Sequence, residues 1–262
     1  MEREHRYDRQ ALAGCRRARA LSVSRYLWSS GLPILAFLTL LCVGLLLGRR
    51  GHGGWRRYDF LLWNLFLAWT PYLFSLAADL LSRVRPRARG QATLPAALAV
   101  LWLAFLPNAP YILTDFIHLR RVPSTSYGYD VTLIATFAAT GCLLGATSLL
   151  VMQSLVERYA GRAWGWAFVV GIVGLSGVGI YMGRVLRWNS WDLFTRPLYI
   201  IDTVADALRD PLGHPRAITL SVLLAVFLLS SYVLFYMLWT WLLGPRRAAD
   251  DRQPACGGPE AR

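Results

Sequence analysis

Apolar residues run in six long blocks along this chain, each about the length needed to cross a membrane. The blocks are Leu27–Leu47, Phe60–Leu81, Leu94–Leu113, Val131–Val156, Trp164–Val185 and Ile218–Leu243. At 1.5 Å per residue, about 18 to 20 apolar residues span the roughly 30 Å hydrocarbon core of a bilayer. Backbone polar groups in lipid must be satisfied within the segment, so the blocks predict helices. The expected fold class is all-α: a polytopic transmembrane helical bundle of about six spans. The first block follows a long Arg-rich arm and exceeds the roughly 7–15 apolar residues of a signal peptide, so it reads as a retained span.

Between blocks 5 and 6 the pattern changes. Asn189 followed by Asp192 resembles a helix-start capping arrangement, and Pro197 suits a first helical turn. Leu198, Ile201, Val204, Ala205 and Leu208 then recur at helical spacing, with Asp202, Asp206 and Arg209 elsewhere on the wheel. This predicts a short amphipathic helix lying on the membrane surface, ended by Asp210-Pro211 and Gly213. The chain divides into an Arg-rich arm (1–26), a transmembrane domain (27–243) and a tail (244–262) whose Gly, Pro and charges lack periodicity, a signature of disorder. Asp79 and Arg83 are spaced for an i,i+4 ion pair. Gly141 with Gly145 in block 4, and Gly179 with Gly183 in block 5, have the small-xxx-small spacing of close helix contacts; Gly171, Gly174 and Gly177 also line block 5. Together they predict tight packing of blocks 4 and 5.

Charge changes the picture in one respect. The net charge is +13, and every one of the 28 basic residues is Arg. In a soluble domain that surplus would point to nucleic acid. Here the arginines lie in loops and tails, as membrane proteins place them, and no nucleic-acid partner is expected. Assigned to alternate sides, 17 arginines fall on one face and 11 on the other. The richer face is the expected cytoplasmic one, which puts both termini inside a cell membrane, the bacterial inner membrane, with membrane lipids as partners. The four cysteines, Cys15, Cys42, Cys142 and Cys256, form no CxxC pair, so neither a thiolate metal site nor a disulfide framework is signalled. There is no P-loop, HExxH, GxSxG or dinucleotide fingerprint, and no cofactor is indicated.

Three polar clusters interrupt the apolar blocks: Arg57–Trp69, Leu106–Leu119 and Gly179–Asp192. If the spans alternate, all three meet at one face, the outer one in the orientation above. In the first, Asn64 lies about one turn inside block 2. In the second, Pro107 and Pro110 flank Asn108 and should break the helix near Leu106; Tyr111, Thr114, Asp115 and His118 follow. In the third, Arg184 and Arg187 share a helical face beside Trp188, Asn189, Trp191 and Asp192. Two guanidiniums at a helix end can bind a phosphate or carboxylate, and tryptophans suit the headgroup level. The leading reading is a non-enzymatic module that binds or transports an anionic ligand such as a lipid headgroup. An alternative is a metal-assisted or acid–base membrane enzyme using Asp115, His118 and Asp192, with Asp130 as another possible ligand. The two nearby arginines would repel a cation, so a metal is not the favoured occupant. A third reading is a structural subunit whose polar residues only fix packing, with Asp115 and Asp192 as salt-bridge partners of the arginines.

The segments N-L-F-L-A-W-x-P-Y, L-P-N-A-P-Y-x-x-T-D-x-x-H-L and G-R-x-L-R-W-N-S-W-D together resemble a bacterial family of integral membrane proteins, domain of unknown function 1361. The likeness runs from about Asp59 to Tyr236. It implies a multi-pass bacterial membrane protein and assigns no activity, cofactor or catalytic residue.

Overall fold

The structure is a computed structural model and describes residues 26–28, 30–51, 57–84, 93–121, 126–186, 195–209 and 215–250. Among the described residues there is no strand, and the α-helices are α1 (Leu32–Gly51), α2 (Phe60–Val84), α3 (Thr93–Phe105), α4 (Asn108–Tyr111), α5 (Tyr127–Ala160), α6 (Arg162–Tyr181), α7 (Pro197–Arg209) and α8 (Pro215–Asp250). Among the described residues, six segments are long and apolar enough to cross a membrane, with α3, α4 and the turns after them forming one. The protein is a multi-pass membrane helical bundle.

Each boundary has a local cause. The first span begins at Leu32 rather than Leu27, because Gly31 takes a left-handed φ of 85° and ends the short turn of Tyr26–Trp28. Pro33 then falls in the first turn of α1, where its missing N–H costs nothing. The third span breaks at Leu106–Pro107, as the paired prolines predict. Beyond α4 the chain winds as a 3-10 helix over Ile112–Arg121. The fifth span ends in a widened turn of π-helix, Met182–Leu186. The sixth runs past the expected end at Leu243 to Asp250, so the tail's first residues are helical. Arg246, Arg247, Ala248 and Ala249 there are good helix formers that carry the helix past Pro245.

The surface helix α7 forms over 197–209. Its Asp202, Asp206 and Arg209 are exposed, but so is Leu198; among the side chains described in this helix, that of Ile200 is buried. The capping pair Asn189 and Asp192 lies outside the described residues.

The long helix α5 is the axis of the bundle. It packs against α1, α2, α4, the 3-10 segment and α6, while α8 packs mainly on α6. Leu133, Ile134, Phe137, Thr140 and Leu144 of α5 are all fully buried. By contrast α8 exposes Leu223, Val226, Phe227, Leu234 and Trp241, a surface suited to lipid.

Helices α5 and α6 do pack together, but not through the glycines that the spacing suggests. Gly141 and Gly145 instead seat the broken turn of the third span. A Cβ on Gly141 would overlap the Ala109 carbonyl oxygen, and one on Gly145 would lie 3.2 Å from the Ala109 Cβ. Gly177 of α6 faces α8, where a Cβ would sit 2.5 Å from the Ser221 carbonyl. Gly171 and Gly174 have open space around them. A turn with its backbone out of helical register is bulkier than a helix, and it needs a groove without side chains.

Candidate binding site at one membrane face

The broken turn positions the site. Leaving the α-helix at Leu106 frees carbonyls at membrane depth, and Asn108 Nδ2 donates to one of them, Phe105 O, at 3.0 Å. This is the structural role that an Asn between two prolines permits. The 3-10 winding that follows has about three residues per turn, so Ile112, Asp115 and His118 stack in one line. That line leads outward: Ile112 is fully buried, Asp115 is 1% exposed and His118 is exposed.

Asp115 is met from two other spans. Asn64 Nδ2, from the first turns of α2, donates to Oδ2 at 2.8 Å. Arg184, in the π turn after α6, brings Nη1 to 3.6 Å from Oδ1. Its Nη2 donates to the Thr114 carbonyl at 2.9 Å, and its guanidinium lies 5.9 Å from the centre of the Tyr111 ring. The Thr114 hydroxyl donates back to the Tyr111 carbonyl at 2.7 Å. A carboxylate withdrawn from water needs such partners. The Arg184 side chain remains 25% exposed.

Residues from all three polar clusters therefore meet: Asn64 from the first, Tyr111, Thr114 and Asp115 from the second, Arg184 from the third. His118 turns outward and packs its ring on Phe60 at 4.7 Å between centroids. Arg187, Trp188, Asn189, Trp191 and Asp192 lie outside the described residues.

A second network at the same face joins the first, second and fourth spans. Asp130, near the start of α5, is fully buried. Arg49 clasps it through Nε and Nη2, and the Tyr58 hydroxyl donates to Oδ2 at 2.9 Å. Burial, and then the hydrogen bond to Asp130, push the Tyr58 phenol up to about 12, which keeps it a donor. Arg50 pairs with Asp59 across the turn between α1 and α2. In sequence Arg49 and Arg50 read only as loop charges, although the R-Y-D of the first cluster contains Asp59, the partner of Arg50, and Tyr58, which shares Asp130 with Arg49. Asp130, a possible metal ligand beside Asp115 by its sequence, is held by Arg49 and Tyr58 instead. Among the described residues, no three His, Cys, Asp or Glu side chains converge to hold a metal ion.

No curated protein and no solved structure matches the chain. The profile of the family described as Protein of unknown function (DUF1361) matches residues 63–231, which takes in Asn64, the broken third span and Arg184. A match over more than half of the chain, spanning the segments that build the Asp115 network, makes this protein a member of that family.

Proposed function

We propose that this protein is a non-enzymatic membrane module whose pocket at the Asp115 face receives an anionic group, such as the phosphate or carboxylate of a lipid headgroup. The observation that carries this reading is Arg184. It is anchored by Asp115 and the Thr114 carbonyl above the Tyr111 ring, yet a quarter of its side chain stays open. A guanidinium held in place loses little further freedom when it binds an oxyanion. In the sequence Arg187 follows three residues on as a second cation, and Trp188, Asn189 and Trp191 are residue types that suit a headgroup-binding segment. Both termini lie in the cytoplasm, so the pocket opens to the outer leaflet.

The test is native mass spectrometry of the full chain in mild detergent, titrated with an anionic lipid (phosphatidylglycerol) and a zwitterionic one (phosphatidylcholine). Arg184→Gln and Arg187→Gln should each lower retention of the anionic lipid; Arg187→Gln should leave the melting temperature within a few degrees, whereas Arg184→Gln, which removes the counter-charge of buried Asp115, should lower it without loss of folding. Unchanged retention in both would end the proposal. Loss of folding in both would favour the structural reading of the same residues.

A further inference from the structure

The opposite face of the bundle holds a second built cluster, independent of the pocket above. Its centre is Asp79, near the end of α2, with a side chain 4% exposed. Three donors converge on its carboxylate. Arg158 Nη2, from the last turns of α5, donates to Oδ1 at 2.6 Å. Arg83 Nε, one turn along α2, donates to Oδ2 at 2.9 Å, and the Tyr26 hydroxyl donates to the same oxygen at 2.6 Å. Arg158 Nη1 also donates to the Ser82 hydroxyl at 3.3 Å. The Arg83 guanidinium lies 5.0 Å from the centre of the Tyr26 ring. Both arginines are thus held by two partners, while their side chains remain 49% and 37% exposed.

One buried carboxylate offsets only one of two cations, so the cluster keeps a surplus positive charge. Glu157, next to Arg158 in sequence, is turned toward Gln153 and Gly165 and makes no ion pair with Arg83 or Arg158, so it does not close on the cluster. The level is that of the lipid headgroups. Arg158 lies 28 residues along α5 from Asp130; at 1.5 Å per residue that is about 42 Å, comparable to the roughly 40–45 Å thickness of a bilayer with its headgroup regions included. Guanidinium forks fit phosphate oxygens, anchoring lowers the entropy lost on binding, and basic pockets between transmembrane helices recognise phosphorylated headgroups. The i,i+4 pairing of Asp79 with Arg83 is present as spaced; Arg158 and Tyr26 turn it from a local pair into a cross-helix cluster.

We infer that Arg83 and Arg158 form a binding site for the phosphate of an anionic membrane lipid, at the face opposite Asp115, with Asp79 and Tyr26 as positioning residues.

The test uses the full chain in mild detergent, with phosphatidylglycerol, phosphatidylcholine and inorganic phosphate as probes in native mass spectrometry. The Arg83→Gln/Arg158→Gln double variant should lower phosphatidylglycerol affinity at one binding step by about tenfold or more, equivalent to about 1.4 kcal/mol, and abolish that step's advantage over phosphatidylcholine, leaving the step that depends on Arg184. Asp79→Asn keeps both guanidiniums and an amide oxygen that can still accept from them and position them, while it removes the counter-charge that competes with a bound phosphate. It should lower the melting temperature yet retain or tighten phosphatidylglycerol binding. Should the double variant fail to fold, Asp79→Asn and the charge-keeping Arg83→Lys/Arg158→Lys still decide. A purely structural cluster predicts that Asp79→Asn weakens stability and lipid binding together, or that the double variant keeps every phosphatidylglycerol-selective binding step of the parent, and either result overturns the inference. Displacement of the lipid by inorganic phosphate at equal concentration would overturn the lipid assignment. Arg184→Gln should leave this site's binding step intact, so failure here and failure of the Asp115-face pocket are read separately.

Discussion

Replacing Gly141 with Ala tests how the third span is seated. The added Cβ would overlap the Ala109 carbonyl oxygen and lie 2.9 Å from Ile112 Cδ1, closer than side-chain carbons come in folded proteins. Ile112 is itself fully buried and has little room to turn. The carbonyl belongs to the broken turn, which can only move as a unit. Overpacking of this kind costs about 1–3 kcal/mol, and a backbone obstacle argues for the upper half of that range. Ala gains up to about 1 kcal/mol over Gly in helix propensity, which leaves a net destabilisation of about 1–2 kcal/mol. At roughly 2–4 °C per kcal/mol for chains near this size, the melting temperature should fall by about 2–8 °C. The assay is thermal unfolding in detergent followed by circular dichroism, with Gly171→Ala and Gly174→Ala as controls, since neither meets an atom within 4 Å. The controls should match or exceed the parent. If Gly141→Ala unfolds with the controls, the broken turn is not seated on this glycine and the reasoning fails. Because Asp115 lies three residues beyond Ile112, Gly141→Ala should also weaken retention of the anionic lipid attributed to Arg184.

Three further outcomes follow from the same geometry. Asp115→Ala removes the acceptor of Asn64 and the counter-charge of Arg184, and should cost about 1–3 kcal/mol, because a quarter-exposed guanidinium can turn to water; an unchanged melting temperature would refute the network. Asp130→Ala strands Arg49, whose side chain is only 11% exposed, and should cost more, about 3–5 kcal/mol, with much of the loss recovered in an Arg49→Met/Asp130→Leu double variant on thermal unfolding. A cysteine placed at Ser126 should react with an impermeant maleimide in intact cells and one at Gly258 only after permeabilisation; equal labelling of both from outside would reverse or void the orientation.

The membrane architecture was legible because a hydrophobic run of span length has few other solutions. Six apolar blocks, two prolines around Asn108 and a helical period over 198–208 each stated a local constraint, and the helices, the break at Leu106 and the surface helix α7 follow from them. The convergence of Asn64, Asp115 and Arg184 at one face was also legible, since alternation of spans alone puts their clusters at a common level. Partner choice was not. Arg49 and Arg158 are ordinary loop arginines in sequence; that each closes on a buried aspartate of another helix depends on the rotation of the helices about their axes, which composition does not encode.

The same division explains the glycines. Small-residue spacing on α5 announced a close contact, and the sequence by itself determined that something would approach there. Only tertiary packing decided that the visitor is the broken turn of the third span, because a groove lined by Gly141 and Gly145 accepts any backbone of the right shape. Hydrophobic length and backbone chemistry act within a segment and can be read from it. Side-chain pairing acts between segments, and its outcome is set by how tightly α5 can be surrounded.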